Sequence, residues 1–230
     1  SYGAYRVGVK VYAELADVAE GCTVSGLPSG LKFATKDTKD ATYGFGTVPA
    51  YTIYGVPTKA STNTVYFKRS VKETNALNKV STVAHTASST FRVEALDSWA
   101  QGTFNGAVFD DEEGTNVAGL VSAATVSAAG KFSGKILIDG VTYTLAAAAY
   151  DAYDSDSDAY TASVIGKYSK TAFTNTVTVA GETIDDSTRG VMTADAWTAW
   201  QNLWKSDPWN TVAKSFAGKT LTTEDGVSLS

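Results

Sequence analysis

The chain has 230 residues, 19 Lys and Arg, 24 Asp and Glu, and a net charge of −5. This acidic balance argues against nucleic acid or an anionic membrane as a partner, because both attract basic patches. No apolar run approaches the roughly 18 residues that would cross a membrane, so we expect no membrane insertion. The abundance of Ala, Thr, Ser, Gly, Val and Tyr favours an all-β secreted protein.

Short strand-like segments separated by turn residues fill the first 95 residues. Tyr5–Glu14 alternates apolar and polar side chains, as a half-buried strand does. Similar segments follow at Cys22–Val24, Leu31–Ala34, Tyr51–Tyr54, Thr64–Arg69 and Thr90–Glu94. This density of strands predicts a β-sandwich domain over residues 1–95.

Two turns in this region also carry a family resemblance. Ser25-Gly-Leu-Pro-Ser-Gly-Leu31 and Tyr54-Gly-Val-Pro-Thr58 place Pro and Gly at successive corners, and alternating strands follow. The pattern resembles the Ig-like, cadherin-like repeats of large bacterial surface proteins. The resemblance implies an Ig-like sandwich and an extracellular or cell-surface location.

Residues 96–230 are predicted to form a second, antiparallel β-barrel-like domain. Gly102-Thr-Phe-Asn-Gly106 marks its first strand, and Asp139-Gly140 between two alternating segments is the strongest hairpin signal in the chain. Three stretches of this region are similar to a barrel-like module that follows Ig-like repeats in large bacterial surface proteins. They are Trp99 with the Gly102–Gly106 strand start, Val126-Ser-Ala-Ala-Gly-Lys-Phe-Ser-Gly-Lys-Ile136, and Asp139-Gly-x-Thr-Tyr-x-Leu145. That resemblance implies architecture and location but no activity.

A tryptophan-rich segment, residues 193–217, is predicted to be a short helical insertion. Trp197, Trp200 and Trp204 recur at helical spacing. Trp209 directly follows Pro208, where the helix is expected to start again. One hypothesis is a helical plug packed on the barrel, and the alternative is an aromatic platform for sugars or a partner.

Two further features, an acidic loop and a single cysteine, each allow two interpretations. The loop residues Asp151, Asp154, Asp156 and Asp158 alternate as in some calcium loops, but the EF-hand pattern fails and a solvated loop is the alternative. The single cysteine, Cys22, is expected to be a small buried residue, with a reactive thiol as the alternative.

No catalytic motif is present in the sequence, so we expect no enzyme and no cofactor beyond possible calcium. The single histidine, His85, has no nucleophile motif to serve and is expected to be an ordinary strand residue. The expected function is structural or adhesive, in an extracellular or bacterial cell-surface assembly. The alternative is a carbohydrate-binding module that uses exposed aromatic residues such as Tyr150, Tyr153 and Tyr160.

The last residues predict an open strand edge. Asp225-Gly226 is a hairpin signal, but only four residues follow it, with Val227 and Leu229 alternating. We expect the barrel to be incomplete alone, and other protein chains to pair with this edge by self-assembly or strand addition. Because the sequence starts at Ser1 rather than Met, we also expect a processed chain or a piece of a longer protein.

Overall fold

The computed structural model describes residues 4–15, 21–110, 116–184, 187–203, 221–222 and 228–229. Within these ranges almost every element is a β-strand, and Ser98–Ala100 forms a single 3₁₀ turn. The predicted all-β class with a barrel-like domain is confirmed. A search of the described residues found no helix with the length and hydropathy needed to span a membrane.

The first nine strands form two sheets and a small ribbon. They are β1 (Tyr5–Arg6), β2 (Val11–Glu14), β3 (Thr23–Ser25), β4 (Leu31–Ala34), β5 (Thr38–Asp40), β6 (Gly46–Val48), β7 (Thr52–Gly55), β8 (Ser61–Thr74) and β9 (Val80–Glu94). One sheet has the order β1-β9-β8-β3, the other has the order β2-β7-β4, and β5 pairs with β6. The pairing of β1 with β9 is parallel, whereas β8 and β9 form one long antiparallel hairpin.

A shared apolar core joins these two sheets. Val11, Leu31 and Ile53 from the three-stranded sheet pack in one cluster with Val65 and Phe91 from the four-stranded sheet. Buried apolar area of this kind stabilises folded proteins by about 25 cal/mol per Å². The two sheets are therefore two layers around one core.

The remaining sheet closes into an antiparallel barrel of eight strands. Its strands are β10 (Gly102–Phe109), β11 (Val117–Val126), β12 (Phe132–Ile138), β13 (Val141–Ala147), β15 (Ala159–Tyr168), β16 (Thr171–Ile184), β17 (Ser187–Ala194) and β18 (Trp197–Gln201). The short β14 (Ala152–Asp154) pairs with the start of β15. Pairing of β10 with β18 and of β13 with β15 completes the circle.

Side chains fill the barrel interior. Alternate residues of each strand point inwards, and most of them are almost completely buried, including Phe104, Ile136, Tyr160, Val177, Val179, Met192 and Trp197. An eight-stranded barrel is just wide enough for its own side chains to fill it. The barrel is thus a packed core rather than a container.

The Asp139–Gly140 hairpin is confirmed. It joins β12 to β13, and Ile138 lies opposite Val141. Both turn residues have positive φ, 48° at Asp139 and 76° at Gly140. This backbone is what a two-residue turn of Asp and Gly favours, so the local signal was sufficient here.

The predicted helix over residues 193–217 is wrong wherever the structure describes that segment. Thr193 belongs to β17, and Trp197 and Trp200 belong to β18. Trp197 is buried inside the barrel, while Trp200 is half-buried on the opposite face of the strand. Trp204, Trp209 and the rest of the segment lie outside the described residues.

The expected open barrel edge is also wrong, because the eight strands close within residues 102–201. The end of the chain forms a separate small pair, β19 (Leu221–Thr222) with β20 (Ser228–Leu229), in which Leu229 lies opposite Leu221. Val227 and the Asp225–Gly226 turn lie outside the described residues. Pairing of this hairpin with another chain stays a prediction.

Candidate functional site

The described residues make their densest set of polar and aromatic contacts at one end of the barrel, where β10 begins. The 3₁₀ turn at Ser98–Ala100 and the N-terminal segment, residues 5–10, lie across this end. Val7 and Val9 belong to the same buried cluster as the barrel interior. We call this region the junction, because it is where the sheets of residues 5–94 meet the barrel.

Arg6 is the centre of the polar part of the junction. Its Nη1 donates to Oδ2 of Asp97 at 2.7 Å, and its Cζ lies 4.1 Å from the centre of the Tyr153 ring. The hydroxyl of Tyr160 donates to the same Asp97 oxygen at 2.5 Å. One carboxylate oxygen thus accepts from an N-terminal strand and from a barrel strand.

A second ion pair lies beside the first. Nζ of Lys10 is 2.6 Å from Oδ1 of Asp151, and the backbone N–H of Ser163 donates to Oδ2 of the same carboxylate. Burial of Asp151 works against its negative charge, but the hydrogen bonds from Lys10 and Ser163 outweigh burial and lower the pKa of Asp151. The carboxylate is therefore held in its charged form.

Backbone contacts reinforce these side-chain pairs. The N–H of Lys10 donates to the carbonyl of Tyr150 at 2.9 Å, and the N–H of Tyr150 donates to the carbonyl of Gly8 at 2.9 Å. This exchange forms a parallel bridge between Val9 and Tyr150. The N-terminal segment consequently adds one short strand contact to the barrel end.

Two glycines allow this close approach. Gly8 and Gly130 have φ of 77° and 74°, and a Cβ built on Gly130 would lie 2.6 Å from the Cα of Gly8. Any side chain at either position would force the two backbones apart. The register of the junction therefore depends on glycine at both positions.

Aromatic rings close the barrel beneath these contacts. The Tyr150 and Tyr160 ring centres are 4.8 Å apart, and Phe132 and Trp99 pack against them. The Tyr150 hydroxyl donates to the carbonyl of Ala100 at 2.6 Å. Burial raises the pKa of Tyr150 well above its usual value, and burial together with the Asp97 hydrogen bond raises the pKa of Tyr160. Both phenols therefore act as hydrogen-bond donors at neutral pH.

Gln201, at the end of β18, completes the polar network. Its Nε2 donates to the carbonyls of Ser98 at 2.8 Å and Gln101 at 2.6 Å. Its Oε1 accepts from the backbone N–H of Gly190 at 2.9 Å. The buried Gln201 amide thus provides hydrogen-bond partners for backbone groups of the turn that crosses the barrel end. Because the amide is itself hydrogen-bonded through both its nitrogen and its oxygen, a polar side chain is tolerated at this buried position.

The aspartates of the predicted calcium loop lie near the junction, and three of the four carboxylates, those of Asp151, Asp154 and Asp158, have other partners. Asp154 accepts from the N–H of Asp156 and from the Ser157 hydroxyl, and Asp158 accepts from the Tyr153 hydroxyl at 2.7 Å. Asp151 is held by Lys10 as described. Among the described residues, no group of three or more His, Cys, Asp and Glu side chains is arranged to hold a metal ion.

Cys22 and His85, which the sequence also singled out, lie apart from the junction, whereas the three tyrosines named for sugar binding lie within it. Cys22 is a buried free cysteine, and His85 is exposed on β9 with Nε2 at 2.7 Å from Oε1 of Glu73. Tyr150 and Tyr160 are buried, and Tyr153 is half-buried under Arg6. The three tyrosines named for sugar binding are therefore structural parts of the junction rather than an exposed platform.

No family model matches this sequence, and a search of curated proteins found no significant relative.

Proposed function

We propose that the chain is a non-enzymatic structural or adhesive module of an extracellular or bacterial cell-surface assembly. The observation that carries this proposal is the junction, because its ion pairs and backbone bonds join the N-terminal sheets to the barrel. A module that transmits force or sets a distance needs such a rigid connection between its parts, whereas units on a free linker move independently.

The packed barrel supports the same proposal. Small-molecule sites are usually concave cavities with a few convergent polar groups. Here the barrel interior is occupied by aliphatic and aromatic side chains, with Tyr160, Met192 and Trp197 nearly or fully buried. The resemblance of both parts to bacterial surface modules adds the location to the proposal.

Labelling of intact cells tests the location. An antibody against the full recombinant chain should stain intact cells of the producing organism as strongly as permeabilised cells. A cytosolic protein should stain only after permeabilisation, which serves as the control. Staining of this protein that also requires permeabilisation would contradict a surface role.

Carbohydrate binding remains a second candidate because one aromatic group is accessible. Tyr12 is 46% exposed, and its ring centre lies 6.0 Å from that of the half-buried Phe45, which in turn contacts Tyr43. Exposed aromatic faces of this kind can stack on sugar rings. A glycan array with the wild-type chain and with Tyr12→Ala tests this candidate, and binding that disappears in the variant would favour it.

A further inference from the structure

The long hairpin of β8 and β9 extends past the rest of its sheet. Its cross-strand pairs run from Ser61 opposite Val93 to Thr74 opposite Val80. β3 covers the edge of β8 only as far as Lys68, and β1 covers the edge of β9 only at Val93 and Glu94. We call residues 69–85, beyond these contacts, the arm.

The arm is a two-stranded structure without a core of its own. Its side chains are exposed or half-buried on both faces, and the Val71 and Val83 pair provides its main apolar contact. No other described strand pairs with it. An isolated two-stranded hairpin is marginally stable in water, so a further strand would stabilise the arm.

The two edges of the arm differ in charge. β8 carries Lys68, Arg69, Lys72 and Glu73, which are the kind of residues that protect an edge strand from unwanted pairing. On β9, residues 80–89 contain no Lys, Arg, Asp, Glu, Pro or Gly. The single titratable side chain there, His85, is engaged with Glu73 of the same hairpin. The edge of β9 is therefore the unprotected one.

We propose that residues 80–89 pair antiparallel with the same edge of a second copy of the chain. The product is a continuous four-stranded sheet in the order β8-β9-β9-β8, in which a two-fold axis relates the two chains. This partner deepens the structural role proposed above and rests on it.

Two physical arguments favour a second copy over another partner. An edge without fixed charges meets no like-charge repulsion when it faces itself, and a two-fold contact satisfies both open edges at once. The basic side chains of the two β8 strands stand three strand spacings apart, about 14 Å, which exceeds the screening length of about 8 Å at physiological salt.

The charges on β8 also explain why assembly would stop at two chains. After pairing, both outer edges of the four-stranded sheet are β8 strands that carry Lys and Arg. Such edges discourage addition of another strand. The proposal therefore predicts a closed dimer rather than a fibre.

Sedimentation velocity on the full chain over a wide concentration range tests the proposal. The mass should rise with concentration from that of one chain, 24.1 kDa, to about twice that value and then stay constant. Ala84→Lys, opposite Ser70 on the exposed edge, should weaken association at least about tenfold, because it places an ammonium group of each copy at the two-fold contact. Ser70→Lys, on β8, is the matched control and should leave association unchanged.

Hydrogen exchange on the wild-type chain gives a second measurement that needs no variant. Amides of residues 80–89 should exchange more slowly in concentrated than in dilute solution, whereas the barrel amides should not change. A monomer at all concentrations, a dimer that resists Ala84→Lys, or a dimer weakened equally by Ser70→Lys would overturn the proposal. Each of these results would leave the cell-labelling test of the structural role unaffected.

Discussion

Replacing Asp97 by alanine should measure how much the junction contributes to the free energy of unfolding, apart from the contribution of the two apolar cores. The Oδ2 atom of Asp97 accepts from Arg6 at 2.7 Å and from the Tyr160 hydroxyl at 2.5 Å. The variant removes the shared acceptor of both hydrogen bonds without changing any residue inside the barrel. The effect should therefore report on how firmly the N-terminal segment is held.

The magnitude follows from the burial of the two donors. The Tyr160 side chain is fully buried, so leaving its hydroxyl without an acceptor costs about 1–3 kcal/mol. The Arg6 side chain is 18% exposed and also lies 3.7 Å from Glu94, so the lost ion pair adds only about 1 kcal/mol. We expect Asp97→Ala to lower the free energy of unfolding by about 2–4 kcal/mol.

Urea unfolding of the full chain, followed by tryptophan fluorescence and by circular dichroism, provides the measurement. A double-mutant cycle with Tyr160→Phe should give a coupling energy of about 1–2 kcal/mol, because the two side chains share one hydrogen bond. Asp156→Ala is the control, since this exposed aspartate should change stability by less than about 0.5 kcal/mol. An Asp97→Ala chain as stable as this control would refute the role assigned to the junction.

Four further outcomes are expected. Gly130→Ala should destabilise the folded chain by about 1–3 kcal/mol more than Gly140→Ala. Both glycines have positive φ, but only Gly130 has another backbone within 3 Å of the new Cβ. Thermal melting of the two variants measures the difference. Trp197→Ala should cost about 3–5 kcal/mol and Trp200→Ala clearly less, since only Trp197 is inside the barrel; equal losses in urea unfolding would contradict the orientation of β18. Because the pKa of Asp151 is lowered in the folded chain, its contribution to stability is fully present above the ordinary Asp pKa near 4. The stability advantage of the wild type over Asp151→Asn, measured by urea unfolding, should therefore shrink as the pH falls below that ordinary value and through the lower pKa of the folded chain. Millimolar calcium should leave the melting temperature unchanged, because three of the four loop carboxylates are engaged within the chain and the described residues form no metal-binding cluster.

The features that the sequence predicted correctly are local ones. Alternation over five to ten residues indicates a strand regardless of where that strand pairs. The Asp139–Gly140 turn needs only its own two residues to adopt positive φ. The all-β class and the barrel could therefore be predicted, although the order in which the strands close could not.

The tryptophan segment shows why a local pattern can fail. Trp197 and Trp200 are three residues apart, which places them on one face of a helix but on opposite faces of a strand. The deciding contact is distant in sequence, because β18 pairs with β10 about 95 residues earlier, as in Trp197 opposite Val108 and Ala199 opposite Gly106. Closure of the barrel satisfies the backbone groups of both strands and outweighs the helical spacing.

The junction was missed for the same reason. Arg6 lies 91 residues from Asp97, and Lys10 lies 141 residues from Asp151. Nothing in the neighbourhood of either basic residue indicates a partner at such a distance. The two glycines gave no usable signal either: Gly8 and Gly130 both lie in turns, where glycine is expected for local reasons, so neither one indicates the close approach of the two backbones.

These long-range contacts also bear on what the chain is suited to do. Arg6 is the last residue of β1 and Lys10 immediately precedes β2, while their acceptors lie at the barrel end. A pull on the N-terminal segment would therefore load the ion pairs, the Val9–Tyr150 bridge and the buried Val7 and Val9 side chains together. The arm belongs to the same sheet as β1, so pairing of two arms would connect two such rigid units through continuous backbone hydrogen bonds. The proposed structural role therefore makes association and coupled stability, rather than turnover, the quantities that test it.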